Sequence, residues 1–280
     1  MDSRVDERDF ELLERDRYTF AVMDRILRSA CELVLTDHEK LILCHSARMY
    51  PVWVWTPDGA DEALKEAAWR LIAGYRPPRE GFRYNVKYEL AAYLIARARA
   101  EGLEMDYATR LCAYDCPCPV SPEAKADGRP HLCTEEDEAE AAALVPGFYS
   151  EIGEEVPSYE SCLEKVREYI RNKAFFFWKN AEGQTVACCS YRTNGDLASL
   201  GSVYTLPGYR RRRYAINLVY HVTRTVKEQG FTPMLYTDAD YPASNACYKK
   251  IGYRSRGELC TVAAKTRETA HESSEDASAP

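Results

Sequence analysis

The chain has 280 residues, a formal net charge of −7 and eleven cysteines, and 46% of its residues are hydrophobic, which is enough for two domain cores. The acidic balance excludes the broad basic face of a general nucleic-acid binder, and no apolar run approaches the ~20 residues of a membrane helix. The charged opening MDSRVDERDFELLERDR is unlike a signal peptide, and irregularly spaced cysteines point to free thiols, so the expected location is cytoplasmic.

Leu13, Phe20, Leu27 and Val34 recur at heptad spacing, with Met23 and Ala30 between them, and predict a helix from Phe10 to Leu35. KLILCHS (Lys40 to Ser46) and PVWVWTPD (Pro51 to Asp58) read as strands, the second ended by the Asp58-Gly59 turn. A helix is predicted from Asp61 to Ala73, then a loop at RPPREG (Arg76 to Gly81), then a helix from Tyr84 to Ala100 with Gly102 as its C-terminal stop. The stretch Cys116 to Pro130, with PCPVSP and ADGRP, reads as a linker. The expected division is an N-terminal α/β domain of unnamed role at 1–130, a second domain at 131–265, and a polar, disordered tail at 266–280.

The second domain opens with a short strand, HLCT, and a helix start at TEEDEAEAA, where Thr134 and Asp137 suit an N-cap and an acidic first turn. A loop with Pro146 and Gly147 is expected next, then a helix from Ser158 to Lys173. AFFFWKN, TVACCSYRT and LASLGSVYTL form a predicted three-strand meander, turned at Asn180 to Gly183 and at Asn194-Gly195. A helix from Tyr214 to Gln229, a strand PMLYTD, a short helix SNACYKKIG and a last strand YRSRGELCTVAA complete the order. The fold class is therefore α/β (α+β), with a mixed, mostly antiparallel sheet flanked by helices in the second domain and a smaller α/β domain before it.

Within LGSVYTLPGYRRRRYAINLVYHV, a strand ending at Thr205 turns at Pro207-Gly208 and runs through four arginines, Arg210 to Arg213, into a helix. A helix N-terminus offers unpaired N–H groups and partial positive charge, and arginines beside it add bidentate donors for phosphate. Neither a P-loop nor a dinucleotide fingerprint is present, so the stretch reads as a different strand–loop–helix phosphate cradle.

VYTLPGYRRRRYA resembles the acetyl-CoA loop, Q/R-x-x-G-x-G/A, of the GCN5-related N-acetyltransferase (GNAT) superfamily: Arg210 takes the first place, Arg213 stands where glycine is usual, and Ala215 fills the last. LYTDADYPASNACYKKIGYR resembles the second signature of that family, with Asn245, Tyr248, Gly252 and Tyr253 matching in order. The resemblance covers the C-terminal half. It implies transfer of acetyl from the co-substrate acetyl-CoA to a primary amine, by direct attack in a ternary complex. Backbone groups of Val203, Tyr204 and Thr205 would pair with the pantetheine arm and stabilise the oxyanion. The run Arg210, Arg211, Arg212, Arg213, Tyr214 and Ala215 would hold the pyrophosphate, chiefly through its amides. Asn245 would contact the arm, and Tyr248 would protonate the departing thiolate, since a phenol of ordinary pKa about 10 is protonated at neutral pH. Because a helix starts at Arg213, a helical φ is expected there.

No carboxylate lies in LASLGSVYT, and Glu182, Asp196, Asp238 and Asp240 are unconvincing bases, so the general base stays unassigned. Glu151, Glu154 and Glu155 either border the acceptor site or form a solvated acidic loop. Cys112, Cys116, Cys118 and Cys133 fit no zinc spacing well, and no metal is expected. The acceptor is a small-molecule amine or a peptide, with no nucleic-acid or membrane partner; a homodimer is compatible with the sequence. The alternative from another class is a non-catalytic acyl-CoA-binding regulatory module.

Overall fold

The computed structural model describes residues 1–29 and 31–265, so the expected tail at 266–280 lies outside the described residues. The chain divides into two compact units. The first comprises Met1–Cys112, Asp238–Asp240 and the chain from Gly257; the second comprises Ala113–Thr237 and Tyr241–Arg256.

In the first unit, α1 (Glu7–Glu14) and α2 (Ala21–Leu27) replace the single helix expected at 10–35, and β1 (Leu33–Thr36) takes its end. Asp6 caps α1 and shares a capping box with Asp9. The heptad set survives the break, since Leu13, Phe20 and Leu27 are all buried. Val34, however, lies in a strand opposite Cys44. An apolar residue at the right spacing cannot by itself tell a helix turn from a short β-branched strand. Then come β2 (Ile42–His45), β3 (Val52–Trp55), α3 (Glu62–Tyr75), β4 (Arg83–Val86), α4 (Tyr88–Ala100) and β5 (Met105–Asp115). Strands β4 and β5 were not expected. Tyr84 to Val86, read as a helix start, is instead a strand, parallel to β3 at Val52 and Trp53.

In the second unit the order is β6 (Arg129–Leu132), α5 (Glu138–Glu151), α6 (Tyr159–Arg171), β7 (Phe175–Lys179), β8 (Thr185–Asn194), β9 (Leu197–Thr205), α7 (Tyr214–Glu228), β10 (Thr232–Asp238) and α8 (Pro242–Ile251). The last strand, β11 (Arg254–Ala264), runs mostly in the first unit, where it pairs antiparallel with β4. Thr134, read as an N-cap, forms a capping box with Asp137, and the Ser158 hydroxyl accepts from the Ser161 N–H. The loop expected at Pro146-Gly147 is absent, because α5 runs on through both residues to Glu151.

Strand order is β1-β2-β3-β4-β11-β5 in the first unit and β10-β9-β8-β7-β6 in the second. Within each unit most pairings are antiparallel, whereas β3 pairs with β4 and β9 with β10 in parallel. The architecture is therefore the expected mixed α/β one, with a mostly antiparallel sheet flanked by helices.

Side-chain alternation covers both sheet faces. In the first unit Val52 and Val54 join the cluster of Trp69 and Ile72 from α3 and of Leu90 and Leu94 from α4. Trp53 meets Phe20 edge to face at 6.0 Å, and the Trp55 indole N–H donates to Asp16 at 2.8 Å. In the second unit Phe175, Phe177 and Tyr204 pack with Ala141 and Val145 of α5 and with Val166 and Ile170 of α6. On the opposite face Phe176 meets His221 of α7 at 5.8 Å.

The stretch 116–130, read as a linker, has little regular structure but belongs to the second unit. Asp127 is its anchor. The carboxylate accepts from the Tyr214 hydroxyl (2.7 Å) and the Ala181 N–H (3.1 Å), and its backbone carbonyl accepts from the Trp178 indole (2.7 Å). The Tyr214 hydrogen bond is the main influence that holds the Asp127 carboxyl below its usual range.

Candidate active site

The site forms where β9 parts from β10. The two strands pair in parallel from Leu197↔Thr232 to Leu200↔Leu235, and no pairing of Gly201–Thr205 with β10 is found among the described residues. On its other side β9 stays paired with β8 as far as Ala187↔Thr205. The separation has a local cause. Gly201 pairs with Ser190 and Tyr204 with Cys188, so Ser202 and Val203 together oppose Cys189. Ser202 adopts a φ of +48°. This bulge bends the strand and leaves an edge of Gly201–Thr205 without a strand partner from β10.

The loop after β9 turns this edge toward a helix end. Arg210 is extended (φ −64°), whereas Arg211 and Arg213 both have left-handed φ, +62° and +70°. The helical φ expected at Arg213 is thus not found. The position keeps the conformation that glycine adopts freely, and the arginine is strained there by about 1–2 kcal/mol. Alternating signs of φ aim successive N–H groups to one side, as in an anion-binding nest. Arg213 is the N-cap of α7 and makes no side-chain cap, so the first-turn amides of Tyr214, Ala215 and Ile216 are not claimed by it.

A cleft of about 470 Å³ lies against these elements, wholly within the second unit. Val203, Thr205, Arg210, Arg211, Arg213 and Tyr248 all line it, as do Tyr214 and Ala215. Three expected residues do not have side chains in this lining. Tyr204 points to the α5 side, where its ring lies over Gly147. The Arg212 guanidinium lies 5.5 Å from the Tyr209 ring centroid. The Asn245 amide donates back to the Tyr241 carbonyl at 3.0 Å, which holds the start of α8.

Tyr248 is 8% exposed and packs edge to face on Tyr253 at 5.9 Å. Burial pushes its phenol well above the ordinary value, the nearby Cys247, Cys189 and Glu151 add to this, and a hydrogen bond with Ser244 opposes it. The hydroxyl therefore carries its proton throughout the neutral range. Cys247, which also lines the cleft, is pushed up to about 11 by burial and stays a thiol.

Sequence reasoning missed Tyr241, Ser244 and Lys250 on the cleft wall. The spacing 241, 244, 248 is the helical signature of one face, so that signal was present. It also left Glu151 in a loop. Glu151 ends α5, lines the cleft, and accepts from Arg210 Nη2 at 2.9 Å and from the Tyr241 hydroxyl at 3.4 Å.

Comparison with known proteins agrees with this geometry. Residues 180–262 match the family model of the FR47-like protein. No curated protein matches the chain. Among solved structures, a GNAT-family acetyltransferase from Colwellia psychrerythraea is similar with a TM-score of 0.58 at 13% identity, covering 95% of this chain and 99% of that one. A GCN5-related N-acetyltransferase from Sphaerobacter thermophilus gives 0.65 at 12% identity, covering 94% and 95%. Another from Kribbella flavida gives 0.64 at 16%, covering 91% and 97%. Residues 180–262 thus match the FR47-like model, and the chain has the fold of the GCN5-related N-acetyltransferases, the superfamily its two motifs resemble.

Proposed function

We propose that this chain transfers an acetyl group from acetyl-CoA to a primary amine. The observation that carries the reading is the convergence on one cleft of three things: an unpaired strand edge, an uncapped helix N-terminus flanked by arginines, and a buried, protonated tyrosine.

The residues present fit this co-substrate. Amides of Arg211 to Ala215, with the Arg211 and Arg213 side chains, would hold the pyrophosphate, and the edge of Val203 to Thr205 would hold the pantetheine amides. The thioester supplies an activated acyl carbon. The strand-edge N–H groups are donors for its carbonyl oxygen as negative charge grows there, in a cleft with a largely apolar wall. The neutral amine nitrogen forms the new C–N bond and gives up its surplus proton to solvent, the C–S bond breaks, and Tyr248, positioned by Ser244, is the donor at hand for the departing sulfur, its own proton being restored from solvent.

Thermal unfolding with and without acetyl-CoA, with ATP as a phosphate control, tests the reading. At ~100 times its dissociation constant a specific ligand stabilises the fold by about 2.7 kcal/mol. A shift with acetyl-CoA but not ATP is expected; no shift at millimolar acetyl-CoA would end the proposal.

A further inference from the structure

Arg210 stands between a backbone carbonyl and a carboxylate. Its Nε donates to the Thr205 carbonyl at 3.1 Å, and its Nη2 meets the Glu151 carboxylate at 2.9 Å. Thr205, Arg210 and Glu151 all line the cleft that the acetyl-CoA reading assigns to the co-substrate, and the present inference rests on that reading. A pyrophosphate seated on the nest beside Arg210 brings a second anion to a guanidinium already engaged by Glu151. Like charges repel at such range, and the more highly charged pyrophosphate takes the larger share of the guanidinium. Glu151 is then left with less of its counter-charge, facing the same cleft.

The surroundings of Glu151 suit an organic cation. Tyr241, 48% exposed, has its hydroxyl 3.4 Å from the carboxylate. Ile152 and Val156, in the connection that follows Glu151, are 51% and 49% exposed. A carboxylate beside an exposed aromatic ring, in a chain segment that carries exposed aliphatic side chains, is matched by an ammonium group on an apolar carbon body.

We infer that Arg210 couples the two substrates: it pairs with Glu151 until the pyrophosphate draws it away, and Glu151 then receives the ammonium group of an apolar amine. Both Arg210 and Glu151 act here as binding residues, and no proton transfer is assigned to either.

Titration calorimetry on the full chain, with CoA in place of acetyl-CoA so that nothing turns over, tests this. If Glu151 competes for Arg210, Glu151→Gln tightens CoA binding by about twofold to fivefold, the range set by a partly exposed ion pair. The gain disappears when Arg210→Gln is also present, whereas a merely structural Glu151 would give weaker or unchanged CoA binding. Gln at the C-terminal end of α5 removes a charge that opposes the helix dipole, so the variant should fold. Phenethylamine, the probe for the acceptor, should bind the wild type more tightly with CoA present than without. CoA should in turn bind more tightly with phenethylamine by the same factor, and Glu151→Gln should lose this binding. Unchanged CoA affinity in Glu151→Gln overturns the coupling, and phenethylamine binding that is absent or indifferent to CoA overturns the acceptor assignment. Failure of the wild type to bind CoA at all sinks the acetyltransferase reading together with this one, whereas CoA binding without the Glu151→Gln gain sinks only the inference.

Discussion

Replacing Arg213 by glycine should stabilise the protein. Arg213 sits at φ +70°, ψ 8°, as the N-cap of α7, and makes no capping hydrogen bond there. A residue with a Cβ is strained in this region by about 1–2 kcal/mol. Glycine removes that strain but gains freedom in the unfolded chain, which returns roughly 0.5–1 kcal/mol. The net expectation is about 0.5–1 kcal/mol of stabilisation, or a rise in Tm of about 1–4 °C for a unit of this size. Arg213→Ala is the decisive control, because it removes the charge and keeps the Cβ. Differential scanning calorimetry should place Arg213→Gly above wild type and Arg213→Ala at or below it. Both variants should lose CoA affinity by a similar factor, about fivefold or less, because both lose one exposed cation that lines the cleft while keeping the amide. Equal Tm values for Gly and Ala, or a lower Tm for Gly than for wild type, would refute the strain argument.

Tyr248→Phe should lower the rate of acetyl transfer about 100-fold or more while leaving CoA affinity nearly unchanged; because burial holds the phenol above its ordinary value, the wild-type pH–rate profile should show no falling limb from Tyr248 below pH ~10. Gly128→Ala should destabilise by about 3 kcal/mol in denaturant unfolding, since φ is +78° and a Cβ would lie 2.0 Å from the Lys179 carbonyl oxygen; an unchanged midpoint would mean that the 116–130 stretch is not anchored as described. His38, bonded at Nδ1 to Asp9 at 2.8 Å, has its pKa raised, chiefly by that hydrogen bond and also by Asp2. Its contribution to stability is therefore full below the unfolded value of about 6.5 and is lost as pH rises through the folded value. His38→Asn, which tolerates the φ of +59°, should abolish this dependence, and a difference between wild type and variant that stays constant with pH would contradict it.

Much of the second unit was legible from local signals. Asn194-Gly195 turned β8 into β9, the Thr134–Asp137 capping box started the helical segment that becomes α5, and Pro207-Gly208 followed by the arginines marked the strand–loop–helix. In the first unit β5 could have been found. Its buried Met105, half-buried Tyr107 and Thr109 and exposed Asp106, Ala108 and Arg110 alternate with a period of two. Strand β4 could not, because Tyr84 to Val86 continues into the pattern of α4 and only its pairing with β3 and β11 makes it a strand.

The amino-acid sequence by itself picked out the groups proposed to carry the chemistry: the arginine loop entering a helix, and a tyrosine on a short helix ended by Gly252. These are local properties, set by turn residues and by the period of a helix. Tertiary structure decided where those groups point. The bulge at Ser202–Val203 opens the strand edge only because β8 holds one side of β9 while β10 leaves the other. The left-handed φ of Arg213 follows from the path the chain must take from that strand into α7, against a residue type that disfavours it. The Glu151–Arg210 pair joins residues 59 positions apart, and no spacing in the sequence encodes a contact that depends on two elements meeting in space.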